Sequence, residues 1–257
     1  MDSLTVIKAG TGVLTKVSDG TLDGSSLVRL VTAIAGLVEQ GHRCLLVSSG
    51  AVGAGVSAFG LDGYPSDVAT KQACAAVGQA RLMHTYESLF RNFDLSVAQV
   101  LLTGEDLRTE ARSTNVRNTL ERLLSEKGIV PVINENDSVA VQELKVGDND
   151  MLSANVARLV GAKRLILLTS VDGLLSPDGD VLIPEVAQVD DVLGFVKDEQ
   201  GKFSIGGMAS KLKAVKLAVD SGVETHIANG RRPERLGRIL AGESGISTRF
   251  LVGQLPV

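Results

Sequence analysis

Short apolar runs rich in β-branched residues alternate along this chain with longer stretches of helical, one-sided apolar spacing. The runs predict strands near Leu4–Lys8, Arg43–Ser48, Ser96–Leu102, Ile129–Ile133, Arg164–Thr169 and Glu224–Ala228. Between them the spacing predicts helices over Leu27–Gln40, Val68–Asn92, Glu110–Lys127, Met151–Val160, Gly207–Ser221 and Pro233–Leu240. Strands such as Leu165-Ile166-Leu167-Leu168 are apolar at every position rather than at every second one, which calls for burial on both faces of a parallel sheet. Such strands alternating with helices predict an α/β fold, a three-layer α/β/α sandwich around an open, mainly parallel sheet.

No linker rich in Pro or Ser divides the chain and no period repeats, so residues 1–257 read as a single domain. Two irregular stretches interrupt the alternation. From Val139 to Asp150, the apolar positions Val139, Val141 and Leu144 to Val146 suggest a short hairpin; from Ser176 to Gly206 the chain is polar, with Asp178-Gly179 and Gln200-Gly201 turns.

Composition narrows the function classes. The 44% apolar content and the balance of 26 Lys+Arg against 30 Asp+Glu exclude a disordered, collagen-like or coiled-coil chain. A sequence pI near 5.5 lacks the footprint of a nucleic-acid or membrane-surface binder, and 3% aromatics without Trp argue against a base-stacking platform. The longest uncharged stretch, Cys44 to Leu61, holds four glycines and three serines, so it reads as a strand followed by a glycine-rich turn rather than a membrane span. The apolar run Leu4–Ile7 stops at Lys8, too early for a signal-peptide core, and a cytoplasmic location is expected. Cys44 and Cys74 read as buried reduced thiols, and His42, His84 and His226 show no metal-ligand spacing.

In an open parallel sheet, ligands bind beyond the C-terminal ends of the strands, so the residues that follow each strand are the candidates. The first strand ends in Lys8-Ala9-Gly10-Thr11-Gly12, an ammonium beside backbone that a phosphate can approach closely; the alternative is a lysine leaving the sheet for solvent. The second ends in Ser48-Ser49-Gly50-Ala51, small residues at a helix start that suit an anion, or a tight turn that packs helix on sheet. After the Ile129 strand come Asn134-Glu135-Asn136-Asp137 and then Gly147-Asp148-Asn149-Asp150 before a helix. Asp148 or Asp150 could simply cap that helix; since Asn caps about as well as Asp, Asp150→Asn is expected to preserve the fold and the helix start, and to lose activity if the carboxylate has another role. Two such clusters at one sheet edge can instead hold the ammonium and carboxylate of an amino acid, orient lysines or take Mg²⁺. Gly206-Gly207-Met208-Ala209-Ser210-Lys211 opens a helix, placing Lys211 in the first turn, where the helix dipole opposes a cation by about 0.3–1 kcal/mol unless an anion offsets it. Neither Walker-A nor GxGxxG spacing occurs.

Taken in order, Ile7-Lys8-Ala9-Gly10-Thr11, Ser48-Ser49-Gly50-Ala51, Lys71-Gln72-Ala73 with Gly78-Gln79, Val130 to Asp137, Lys145 to Asp150 and Gly206-Gly207-Met208 with Lys211 resemble the glutamate 5-kinases of the amino acid kinase family. The resemblance implies transfer of the γ-phosphoryl group of ATP, with Mg²⁺, to the side-chain carboxylate of L-glutamate, the first step of proline synthesis. It also implies proline feedback at the glutamate site, a homo-oligomer (dimer or tetramer), and no nucleic-acid or membrane partner. By the same resemblance Lys8 and Lys211 stabilise the transferring phosphoryl group and Asp150 orients them. Ser49, Gly50, Asn134, Asp137 and Asn149 fall at glutamate-binding positions, and Gly10, Thr169, Ser170, Gly206, Gly207 and Met208 join the two lysines on the nucleotide side. Ala9, Gly12, Ser170, Ile205 and Ser210 depart from the family pattern, mostly on that side. Many bacterial members carry a C-terminal PUA domain, whereas this chain stops at Val257, as a short form or as part of a longer protein. Two other readings are a sister amino acid kinase with another acid substrate, and a non-catalytic sensor of glutamate or proline.

Overall fold

Full burial of short apolar runs builds the sheet. In the computed structural model, which describes residues 3–140, 149–177, 181–195 and 207–253, β1 (Leu4–Ala9) is buried at every position. Consecutive residues of the central strands point into different cores. Val6, Leu45, Val47, Ile133, Leu165 and Leu167 pack into one apolar cluster, and their neighbours Ile7, Leu46, Val132, Ile166 and Leu168 into another. Each such fully buried Leu or Ile contributes roughly 1.5–3 kcal/mol, which is why these runs fix the strands.

In chain order, β1 is followed by α1 (Thr11–Leu14), α2 (Gly24–Glu39), β2 (Arg43–Ser48), α3 (Ala51–Val56), α4 (Val68–Phe90), β3 (Ser96–Leu102), α5 (Gly104–Arg108), α6 (Glu110–Leu124) and β4 (Ile129–Glu135). Then come α7 (Asn149–Leu159), β5 (Arg164–Thr169), β6 (Glu185–Val186), α8 (Met208–Asp220), β7 (Glu224–Asn229), α9 (Leu236–Leu240) and β8 (Ser247–Phe250). The eight strands lie in the order β3-β4-β2-β1-β5-β7-β8-β6. All neighbours are parallel except β7 and β8. Helices α2, α4 and α9 supply one core and α6, α7 and α8 the other, giving the three layers expected. From β1 the chain passes to β2, goes out to the edge strand β3, comes back to β4 between them, and then crosses to β5 on the other side of β1. The crevice for a ligand therefore opens above β1 and β5.

Local chemistry sets the helix starts. Asp23 accepts from Ser25 N at 3.0 Å before α2, Asp67 from Thr70 N at 2.8 Å before α4, and Thr103 with Asp106 forms a capping box at α5. Glycine governs the helix start after β2 and the way the next helix meets it. The glycine-rich segment after β2 is a helix, α3, entered through Gly50 at φ 101, a left-handed conformation that glycine adopts at little cost. Gly78 of α4 then lets α3 lie directly against it, since a Cβ there would sit 1.8 Å from Ala51 O. The apolar pattern also misses the short elements β6 and β8, and the predicted helix at Pro233 begins as a 3₁₀ turn, Pro233–Arg235, ahead of α9. Residues 141–148 of the suggested hairpin, and residues 178–180 and 196–206 of the second irregular stretch, lie outside the described residues. Among the described residues no helix is long and apolar enough to cross a membrane.

Candidate active site

Three charged side chains meet at the C-terminal end of β1. Lys8 Nζ lies 2.7 Å from Asp150 Oδ1, and Lys211 Nζ lies 3.1 Å from Asp150 Oδ2. Asp150 is fully buried and both lysines are nearly so. Gly10 makes room for the first lysine, because a Cβ there would stand 3.0 Å from Lys8 Nζ. Lys211 is therefore no solvated surface lysine, and Asp150 lies inside α7 rather than capping it: its carboxylate is committed to the two ammonium groups. Two buried ammonium groups held against a carboxylate at the crevice, in a low-dielectric setting, make a place that suits a phosphate.

The residue before Asp150 faces a second cluster. Asn149 Nδ2 donates to Ser49 Oγ at 2.8 Å and to Asn134 Oδ1 at 3.0 Å, so helix α7, the β2–α3 turn and β4 converge on one amide. Ser49 accepts that bond and keeps its own proton for an acceptor, while Asn149 Oδ1 is buried with no partner. Gly50 shapes the turn: a Cβ there would lie 3.2 Å from Leu22 Cδ2. Asp137 follows β4, half-buried beside a cavity of about 290 Å³ that is lined by the small side chains of Ala51, Ala75 and Ala80 and by Gln79, Gln99 and Glu135. Burial first, then the carboxylate of Asp137 and Cys74, pushes the Tyr64 phenol up to about 12, which places Tyr64 beside this carboxylate.

On the other side of β1, Thr169 ends β5 half-buried and its carbonyl accepts from Gly230 N at 2.8 Å; Ser170 is exposed. Gly207 caps α8, and Met208, half-buried, begins it. Gly206 and Ile205 lie outside the described residues. The structure thus joins Lys8, Asp150 and Lys211 in one group and Ser49, Asn134 and Asn149 in another.

Several supporting residues were not found from the sequence: Gln79 and Tyr86 sit in a helix and Gln99 in mid-strand, while Asp172 and Asn229 stand at strand ends without a motif to mark them. Gln79 Oε1 accepts from Asn134 Nδ2 at 2.9 Å, Gln79 Nε2 donates to Gln99 Oε1 at 2.9 Å, and the buried Tyr86 hydroxyl lies 2.8 Å from Ser48 Oγ. Asp172 accepts from Asn229 Nδ2 at 2.7 Å and pairs with Arg235 at 3.4 Å, tying the loop after β5 to the loop after β7. The one available sequence signal was Gln79 standing inside a motif of the resemblance. Among the described residues no cluster of three or more His, Cys, Asp or Glu is placed to hold a metal ion.

Comparison with known proteins adds the following. Residues 3–229 match the sequence model of the amino acid kinase family. The chain is 46% identical over 256 residues to a glutamate 5-kinase of Synechococcus sp. (strain JA-2-3B'a(2-13)), covering 97% of this chain and 68% of that protein. It is also 46% identical over 254 residues to one from Gloeobacter violaceus, covering 97% and 68%. Among solved structures, carbamate kinase from Giardia lamblia bound to AMP-PNP superposes with a TM-score of 0.66 at 13% identity, covering 97% of this chain and 99% of that one. An isopentenyl phosphate kinase of T. acidophilum gives 0.64 at 18% identity, covering 96% and 100%. These structures share the fold.

Proposed function

The chain belongs to the amino acid kinase family, in its glutamate 5-kinase branch, and from that premise we propose that it transfers the γ-phosphoryl group of ATP to the side-chain carboxylate of L-glutamate. One observation carries the assignment to residues: consecutive positions of α7 serve the two halves of the site, Asn149 in the amide cluster and Asp150 between the lysines. An acceptor held by the first is thereby set against a phosphoryl group held by the second. This reaction needs in-line positioning and cancellation of the charge spreading over the phosphoryl oxygens, and little else.

In this reading Lys8 and Lys211 supply the charge cancellation, and Asp150 holds the two ammonium groups in place. Ser49 donates to a carboxylate of glutamate, and Asn149 Oδ1 with Asp137 accepts from its ammonium; Asn134 and Gly50 shape the pocket. Gly10, Thr169, Ser170, Gly206, Gly207 and Met208 line the nucleotide side. Both oxygens of Asp150 are occupied by lysines, so Mg²⁺ belongs on the ATP phosphates, where it neutralises further charge. Proline shares the amine and α-carboxylate of glutamate and competes for the same pocket. Assembly as a homo-dimer or tetramer belongs to the reading too, as does a cytoplasmic location, which the two buried, free thiols Cys44 and Cys74 support.

The test is hydroxamate formation with ATP, Mg²⁺ and hydroxylamine. Glutamate gives product and the others give far less: aspartate is one methylene too short to bring its side-chain carboxylate to the phosphoryl group, and N-acetylglutamate has lost the charge and all but one N–H of the amine that Asn149 and Asp137 receive. N-acetylglutamate outcompeting glutamate removes the assignment.

A further inference from the structure

A side-chain amide can point either way with nearly the same shape, so whatever fixes its direction decides whether a pocket offers a donor or an acceptor. At Asn149 that choice matters. Its Nδ2 is turned toward Ser49 Oγ and Asn134 Oδ1, which leaves Oδ1 as the buried acceptor open to a ligand. Reversed, the same side chain would present N–H groups to an ammonium.

A long contact of Asn149 Nδ2 with the Ser48 carbonyl, at 3.4 Å, favours this direction weakly, and side chains behind the amide pair reinforce it. Asn134 can offer Oδ1 to Asn149 only while its own Nδ2 has an acceptor elsewhere, and that acceptor is Gln79 Oε1 on α4, at 2.9 Å. Gln79 keeps its oxygen on that side because its Nε2 donates to Gln99 Oε1 on β3, at 2.9 Å. The main-chain N–H of Glu135 donates to Asn134 Oδ1 at 2.9 Å and pins the same orientation. The bonds form a one-way relay, Asn149 to Asn134 to Gln79 to Gln99, in which every amide donates outward and accepts from the pocket side.

We infer that Gln79, with Gln99 behind it, is a positioning residue that fixes the amide polarity of Asn134 and Asn149 and so selects an acceptor substrate bearing a free ammonium group. This inference rests on the glutamate reading above. Gln79 belongs to the recognition of the amine and not to the phosphoryl transfer, since Lys8, Asp150 and Lys211 make none of the relay bonds described. A packing role makes the opposite forecast about substitutions: an isosteric apolar side chain would serve best and a charged one worst.

The experiment compares Gln79→Met with Gln79→Glu, reading KM for glutamate, KM for ATP, kcat and melting temperature. Methionine fills the space but accepts no bond from Asn134, so KM for glutamate rises about tenfold, with kcat and KM for ATP within twofold of the native protein. Glutamate at this position still accepts from Asn134 Nδ2 while the Gln99 amide turns over to donate, so KM stays within about threefold of native. Gln99→Met, at an exposed position, raises KM for glutamate by a smaller factor of about two to three, and carries the test if Gln79→Met does not fold. An unchanged KM in both methionine variants, equal losses in Gln79→Met and Gln79→Glu, or a fall in kcat in place of a rise in KM overturns the inference. Native protein that neither binds nor phosphorylates glutamate overturns the functional reading and this inference with it; native activity with indifferent variants overturns the inference alone.

Discussion

Two ion clusters stand at opposite ends of the same sheet, and they are built differently. At the C-terminal ends of the strands, Asp150 lies between Lys8 and Lys211, with side-chain exposures of 0%, 3% and 10%. At the N-terminal ends of β5 and β7, Glu224 accepts from Arg164 at 2.8 Å and from Arg249 Nε at 3.0 Å, and Arg249 reaches Glu185 at 3.7 Å, so two arginines meet two glutamates. That group is 17–52% exposed and its charges cancel. The second arrangement is complete in itself and ties β5, β7 and β8 together. The first is deeply buried and placed at the crevice, where a ligand is bound in an open parallel sheet. Deep burial at the crevice, more than the number of ion pairs, separates a site from a brace.

The largest effects should come from the buried cluster. Lys8→Ala and Lys211→Ala each remove a cation that matters most as the phosphoryl group leaves ADP, at a cost on the order of 3 kcal/mol, so kcat should fall a hundredfold or more with little change in KM for glutamate. A raised KM with native kcat would take the lysines out of the chemistry. Asp150→Asn should lower activity as strongly, and the structure corrects the expectation that the fold would be indifferent to it. With the carboxylate gone two buried ammonium groups face each other, and breaking a buried pair in this way costs about 3–5 kcal/mol. Melting temperature and turnover should therefore fall together. A variant with both native melting temperature and native turnover would return Asp150 to the role of a helix cap.

Much of this contrast was legible in the sequence, and the rest was hidden for physical reasons. Strands β2, β3 and β5 have the predicted bounds because their apolar runs start and stop sharply. Strand β4 runs on through Asn134 and Glu135, polar residues that stay in the ladder opposite Leu101 and Leu102, so hydropathy ends it too soon. Strand β8, Ser247-Thr248-Arg249-Phe250, carries no apolar run; its edge is covered by pairing with β6. Lys8 and Lys211 were visible as cations beside glycines. Their meeting at Asp150 was not, since no local pattern reports a contact between residues 142 and 61 positions apart, and only the resemblance pointed there. Gln79 and Gln99 were hidden more deeply still, because a glutamine in a helix or on an edge strand is an ordinary surface residue until a partner is seen.

The balanced cluster should respond in stability alone. Burial would raise the Glu224 carboxyl, but hydrogen bonds from Arg249 and Arg164 outweigh it and hold the group at about 2, against an ordinary value of 4.5. A depressed carboxyl stabilises the fold above its unfolded value and loses that contribution as pH falls through its folded one. The brace is thus intact above about pH 4.5 and is lost between there and about pH 2. Discounted for solvent, its worth is about 2 kcal/mol, or roughly 5 °C in melting temperature at neutral pH. Glu224→Gln should show that loss at pH 7, a flatter acid limb and native turnover. A drop in kcat in this variant would break the distinction between the two ends of the sheet.

The smallest effect tests how the crevice is divided between its two ligands. Ser170 is exposed at the end of β5, where the resemblance places an aspartate, while two residues on Asp172 is already engaged by Asn229 at 2.7 Å, Arg235 at 3.4 Å and Arg232 at 3.9 Å. Those contacts brace the loops after β5 and β7 much as Glu224 braces the other end, and they leave Asp172 a poor substitute for a carboxylate turned to the nucleotide. Ser170→Asp should therefore supply one polar contact that the native chain lacks. At an exposed position such a contact is worth about 0.5–1.5 kcal/mol, so KM for ATP should fall by roughly two- to tenfold. KM for glutamate should stay where it is, because Ser49, Asn134 and Asn149 lie across β1 on the β2 and β4 side. Titrating ATP and glutamate against both proteins reads the two constants separately. A shift in the glutamate constant, or an ATP constant that does not move, would show that position 170 does not face the nucleotide and that the division of the crevice at β1 is drawn in the wrong place.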